Sequence, residues 1–164
     1  RWKRVLLVQA AHPLAALRRA PSLAELAAHP LISYESSIRA DSSLQRAFAG
    51  AAVTPQIAMT ARDANLIKTY VRAGLGAGLL AEMATGTRED EDLRIIEAPA
   101  EIPECITWAV IPRGRVLREY ALSLLHGLAP QLDRRDLRRV LEGNQEPDWP
   151  QPPGWVELTQ SIAA

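Results

Sequence analysis

Short apolar runs alternate along this chain with stretches in which apolar residues recur every three or four positions. Arg4 to Gln9 ("RVLLVQ"), Leu31 to Tyr34 ("LISY"), Gln56 to Ala61 ("QIAMTA") and Ala77 to Ala81 have the length and apolarity of strands buried on both sides. "LRIIEA" and "CITWAVIP" read the same way, the second rich in β-branched residues and stopped by Pro112. Helices fall between them. Ser22-Leu23-Ala24-Glu25 is an S-x-x-E capping box whose helix must stop before Pro30. Leu44, Ala47 and Phe48 mark a second helix, capped by Asp41 or Ser42, before Thr54-Pro55 turns the chain. Leu66, Ile67, Tyr70 and Val71 form the apolar stripe of a third, with Asn65, Lys68, Thr69 and Arg72 on the opposite side. Val116, Leu117, Tyr120, Ala121, Leu124, Leu125 and Leu128 predict a fourth that ends near Pro130.

The stretch "IKTYVRAGLGAGLLAEM" carries three closely spaced glycines, Gly74, Gly76 and Gly78. A phosphate-binding loop puts such glycines after a strand and before a helix, where free amides face the anion. Here the order is helix, glycines, strand. Gly74 is therefore the residue that closes the helix in a left-handed conformation, and the run after it is a buried strand.

Strand and helix thus alternate in an α/β pattern, which predicts a parallel or mixed sheet flanked by helices. Beyond residue 130 the character changes. "LDRRDLRRVL" can form one more helix with Leu132, Leu137, Val140 and Leu141 inside and four arginines outside. "EGNQEPDWPQPPGW" holds four prolines and two glycines and reads as an extended or poorly ordered tail.

A chain of 164 residues can bury a real core. Its 19 basic and 19 acidic side chains cancel, so this segment has no electrostatic reason of its own to hold nucleic acid or an anionic membrane. The single cysteine, Cys105, excludes an internal disulfide framework and fits a reducing compartment. No apolar run approaches the roughly 20 residues that span a bilayer. The acidic run "REDED", Arg88 to Asp92, reads as a solvated loop. The chain opens Arg1-Trp2-Lys3-Arg4 without methionine, which suggests a piece of a longer protein.

Catalysis needs convergent acids, bases or metal ligands. His12, His29 and His126 are scattered, two of them before prolines, and no zinc, hydrolase or calcium-loop spacing is present. The pattern gives no catalytic residue, no metal site and no cofactor. Small polar residues instead collect where strands end: Ser33 to Ser37 after "LISY", and Thr60 to Asp63 after "QIAM". In open α/β sheets ligands bind beyond the carboxyl ends of the strands. These groups are either helix caps or contacts to a small polar or anionic ligand.

The segment order, with "PSLAELAAHPLISY" followed by "LQRAFAGAAVTPQIAMTARDANLIKTYVRAGLGAGLLAEMA", resembles the effector-binding domain of LysR-type transcriptional regulators, in particular the CysB-like branch. Thr54-Pro55 and the Asp63 to Gly78 stretch carry the more specific likeness. The resemblance implies a type 2 periplasmic-binding-protein-like fold of two α/β lobes. Residues 2–106 would be the second lobe, 107–130 the crossover strand and helix returning to the first, and 131–164 a C-terminal helix and Pro-rich tail. The winged helix-turn-helix and most of the first lobe would lie before Arg1. It further implies a non-enzymatic sensor of a small anionic effector (sulfate, an acetylserine-like metabolite or another carboxylate), concerned with sulfur or related metabolism. DNA would be bound only through the missing domain, by a cytoplasmic homodimer or homotetramer without membrane contact. In the family a threonine after the "L-(S/T)-Y" strand touches the effector; that position falls on Arg39, and Arg62 replaces a small hydroxyl residue after "QIAMTA". The expected effector contacts are Ser36, Ser37, Arg39, Thr60 and Arg62. A transporter's solute-binding protein is the alternative on the same fold.

Overall fold

The computed structural model describes residues 1–86, 90–112, 115–143 and 147–163. It divides into two compact units, one spanning Trp2–Cys105 and the other Ile106–Ala164 together with Arg1. In the first, β1 (Arg4–Gln9), β2 (Leu31–Tyr34), β3 (Ile57–Ala61), β4 (Ala77–Ala81) and β5 (Leu93–Glu97) form a mixed sheet in the order β3-β2-β4-β1-β5. β2 runs parallel to β3 and β4, whereas β1 runs antiparallel to β4 and β5.

The near-continuous apolarity of the strands is explained by cover on both faces. Leu6, Val8, Leu31 and Leu79 face one way and pack with Leu23 and Leu26 of α1 (Leu23–Ala27) and Leu44 and Phe48 of α2 (Ser43–Gly50). Leu7, Ile32, Ala61 and Leu80 face the other way, against Ile67 and Val71 of α3 (Ala64–Arg72). Ser22 and Glu25 form the expected capping box, and Ser42, not Asp41, caps α2. Arg19 donates to both carboxylate oxygens of Glu25 and, with the Ser22 amide, lowers the pKa of that carboxyl to about 2. Short 3-10 turns at Pro13–Ala16, Glu35–Ile38 and Glu82–Ala84 add to the expected elements.

Each glycine of the central stretch has its own task. Gly74, at φ 74°, follows Ala73 at the end of α3 and closes the helix as expected. Gly76 passes the Pro30 carbonyl so closely that a β-carbon would stand 2.3 Å from its oxygen, while Gly78 lies beneath the γ-methyls of Ile67 and Val71.

Lys68 corrects the expected polar face of α3. It is buried, and its Nζ stands 2.8 Å from Oδ2 of the equally buried Asp90. Arg72 adds a contact to Asp90 and grips Asp92 with two nitrogens. Asp90 therefore does not belong to a solvated loop: it anchors the chain before β5 to α3. Arg88 and Glu89 of that acidic run lie outside the described residues.

In the second unit, α4 (Glu119–Leu128) and α5 (Arg134–Leu141) are joined by Arg138 and Glu119, with Leu122 and Leu137 buried. The helix expected from Val116 begins only at Glu119; Val116 is 94% exposed and has nothing to pack against. "CITWAVIP" is not a strand among the described residues. Only Cys105 pairs, with Trp2, and the residues after it have no neighbouring ladder, on which β-structure depends. The Pro-rich tail is not wholly extended either: α6 (Trp155–Ala163) follows it, its start fixed by the Glu157 carboxylate accepting the Gly154 amide. No helix among the described residues is long and apolar enough to cross a membrane.

Candidate functional site

Because β2, β3 and β4 are mutually parallel, their carboxyl ends form one edge of the sheet, at Tyr34, Ala61 and Ala81. β1 is antiparallel, so its first residue, Arg4, lies there too, opposite Ala81. The turn Glu35–Ile38, the start of α2 and the start of α3 rise from this edge. All expected contact residues sit on it.

Their environments differ. Ser37 is buried and lies 3.0 Å from the Oγ of Ser33, which is wholly buried and donates to the Leu79 carbonyl at 3.0 Å. Since Ser33 has a single hydroxyl proton and a carbonyl can only accept, the Ser37 hydroxyl donates to Ser33 when Ser33 serves Leu79. Thr60 stands beside Ser33 in the β2–β3 register and is half-buried. The structure thus gathers Ser37 and Thr60 around Ser33. Ser36, one residue earlier, is exposed. Ser42 continues the cluster: it caps α2 and donates to the Ser37 carbonyl at 2.9 Å.

The two expected arginines stand outside this cluster, each against a carboxylate. Arg39 grips both oxygens of Asp41 at 3.0 and 3.1 Å, and holds that carboxyl below the usual carboxylate range. Arg62 reaches Glu35 at 3.4 Å. All four side chains are more than half exposed, so the pairs are screened and separate at little cost.

Arg4, which no sequence pattern marks, joins the edge from the opposite strand direction. Its Nη2 donates to Ser43 Oγ at 2.9 Å and its Nη1 to the Pro103 carbonyl at 3.4 Å, while its guanidinium lies 5.9 Å from the centre of the Trp2 ring. Nothing in the local pattern distinguishes it from any basic residue opening a strand. Ser33 left a fainter signal, as the one hydroxyl in an otherwise apolar run. Among the described residues no group of three or more histidine, cysteine or acidic side chains is placed to hold a metal.

Residues 1–133 match the family model described as the LysR substrate binding domain. The transcriptional regulator CysB of Burkholderia cenocepacia is 36% identical over 146 residues, covering 88% of this chain and 46% of that protein. The transcriptional regulator cbl of Escherichia coli is 34% identical over 147 residues, covering 89% and 46%. Among solved structures, the cofactor-binding domain of the Cbl transcriptional regulator superposes with a TM-score of 0.70 at 30% identity, over 85% of this chain and 61% of that one. This chain belongs to the LysR substrate-binding domain family and has its periplasmic-binding-protein-like α/β fold. It spans just under half the length of the curated relatives it matches. Those relatives are transcriptional regulators, and nothing favours the solute-transport alternative.

Proposed function

We propose that this chain is the ligand-sensing regulatory part of a LysR-type transcription regulator, acting without catalysis or cofactor. The carrying observation is the family match over residues 1–133, in a fold whose shared carboxyl edge collects the hydroxyls of Ser33, Ser37 and Thr60. A small anionic effector, either sulfate or an acetylserine-like or other carboxylate of sulfur or related metabolism, binds at that edge. Ser36, Ser37 and Thr60 provide hydroxyls, and Arg39 and Arg62 a basic rim that opens from its carboxylates. Residues 2–106 serve as the second lobe and 107–130 return to the first. The apolar residues left exposed on α4, Tyr120, Leu124 and Leu128, support a packing role for that helix. DNA is held by an N-terminal winged helix-turn-helix of the whole protein, a homodimer or homotetramer in the cytoplasm.

Ligand control of DNA binding requires different affinity for two conformations. The test is a mobility-shift titration of the intact encoded protein on the DNA upstream of its own gene, with and without sulfate or acetylserine. The expected result is a retarded complex whose affinity changes at least about fivefold with one ligand. Absence of any specific complex overturns the regulatory reading.

A further inference from the structure

We infer that Arg4 is the cation that receives the anionic group of the effector, an inference that rests on the effector-binding reading above. Arg4, Arg39 and Arg62 lie at the carboxyl edge of the sheet, and they differ in what surrounds them. Arg39 and Arg62 each have a carboxylate within ion-pair distance, so locally their charge is already balanced. Arg4 is half-buried and, among the described residues, has no carboxylate within that distance. Its neighbours are a serine hydroxyl, a backbone carbonyl and the face of an indole.

The acidic groups nearby in the chain are otherwise engaged. Glu82 accepts the Lys3 amide at 2.8 Å, and Glu104 lies 3.9 Å from Lys3 Nζ. A partly desolvated guanidinium without a counter-charge is costly, and an incoming anion removes that cost. The side chain is also prepared for one. A guanidinium has five N–H donors, of which Ser43 and Pro103 occupy two. The centre of the Trp2 ring lies 5.9 Å from the guanidinium carbon, within cation–π range. Ser43 accepts from Arg4, which leaves its own hydroxyl proton free to donate to the same anion.

Ser43 is the first residue of α2, and its neighbour Ser42 reaches the Ser37 carbonyl, so a continuous polar path runs from Arg4 to the buried hydroxyls of Ser37 and Ser33. An oxyanion at Arg4 and Ser43 lies beside the groups that read the rest of the ligand. The sulfate or carboxylate group is thus assigned to Arg4, with Arg39 and Arg62 as outer charges.

The experiment is calorimetric titration of the intact protein with inorganic sulfate and, separately, with acetate, for wild type, Arg4→Gln, Arg4→Lys and the double variant Arg39→Gln with Arg62→Gln. Arg4→Gln should bind sulfate about ten- to a hundredfold more weakly. Arg4→Lys, which keeps the charge but loses the fork, should fall between, and the double variant, which strips only the outer rim, should lose clearly less sulfate affinity than Arg4→Gln does. Unchanged affinity in Arg4→Gln, or a loss confined to the double variant, overturns the assignment and leaves the effector site standing. Failure of wild type to bind either anion overturns both readings. Circular dichroism melts establish that each variant folds. Should Arg4→Gln not fold, Arg4→Lys decides: weaker sulfate binding supports the assignment, and wild-type affinity refutes it.

Discussion

Replacing the three central glycines by alanine, one at a time, should produce a graded series of losses whose order the structure dictates. At Gly74 the added β-carbon meets only the Gln9 side chain, at 3.7 Å, so the cost is the left-handed φ of 74°. That amounts to roughly 1–2 kcal/mol, partly offset by the smaller entropy of the unfolded chain. At Gly78 φ is ordinary, but the β-carbon would lie 2.8 Å from the γ-methyls of Ile67 and Val71. Carbon atoms pack at about 3.5–4.0 Å, so α3 must retreat, at a cost of roughly 1–3 kcal/mol. At Gly76 both penalties combine: φ is 153°, and the β-carbon would stand 2.3 Å from the Pro30 oxygen. That oxygen accepts the Ala77 amide at 2.9 Å, the bond that starts the β2–β4 pairing. Backbone cannot rotate away as a side-chain methyl can, so the expected loss is about 3 kcal/mol or more. Urea unfolding followed by circular dichroism, with midpoint and slope compared among variants, measures the series. A smaller loss for Gly76→Ala than for Gly74→Ala, or relief of Gly76→Ala by Val71→Ala equal to its relief of Gly78→Ala, would refute this order.

Two further predictions concern charge. Lys68→Met should destabilise by about 3–5 kcal/mol, less whatever Arg72 restores, because it takes the nearest cation away from the buried Asp90 carboxylate. Lys68→Met with Asp90→Leu should recover most of that loss, and a double variant as unstable as the single one would contradict the account. His12 caps the Pro13–Ala16 turn by accepting the Leu14 amide at Nδ1, and its ring lies 4.8 Å from that of His29. Burial first, and then the His29 charge, lower its pKa from the ordinary 6.5. The unfolded chain therefore binds the proton more readily, so stability present above about 6.5 should fall as pH drops through the lowered folded value. Melting temperatures from pH 7.5 down to 5 should show this slope, and His12→Asn should flatten it; an equal slope in both proteins would refute the role.

Where side chains are governed by near neighbours in sequence, the chain alone specified the outcome. The Ser22–Glu25 box, a cap for α2 at Asp41 or Ser42, the Gly74 helix stop and the β2, β3 and β4 runs each follow from local dihedral preference or from periodicity. The same patterning misled at 116–118 and 106–111, where Ile106, Trp108, Val110 and Val116 are left exposed. Ser36, Ser37, Arg39, Thr60 and Arg62 come to one edge of the sheet because each lies at or just beyond the end of a strand whose end is visible in the sequence.

What tertiary structure alone decided was the company each charge keeps. Lys68 and Asp90 both read as solvated, and become a buried pair only because the chain before β5 returns across α3. Arg39 and Arg62 read as free cations, and have carboxylates beside them. Arg4 reads as an unremarkable basic residue, and is brought to the carboxyl edge because β1 enters the sheet antiparallel. Dihedral and periodic preferences act over a few residues, so sequence carries them. Desolvation and Coulomb terms depend on separations in space, and these are set by strand order and direction.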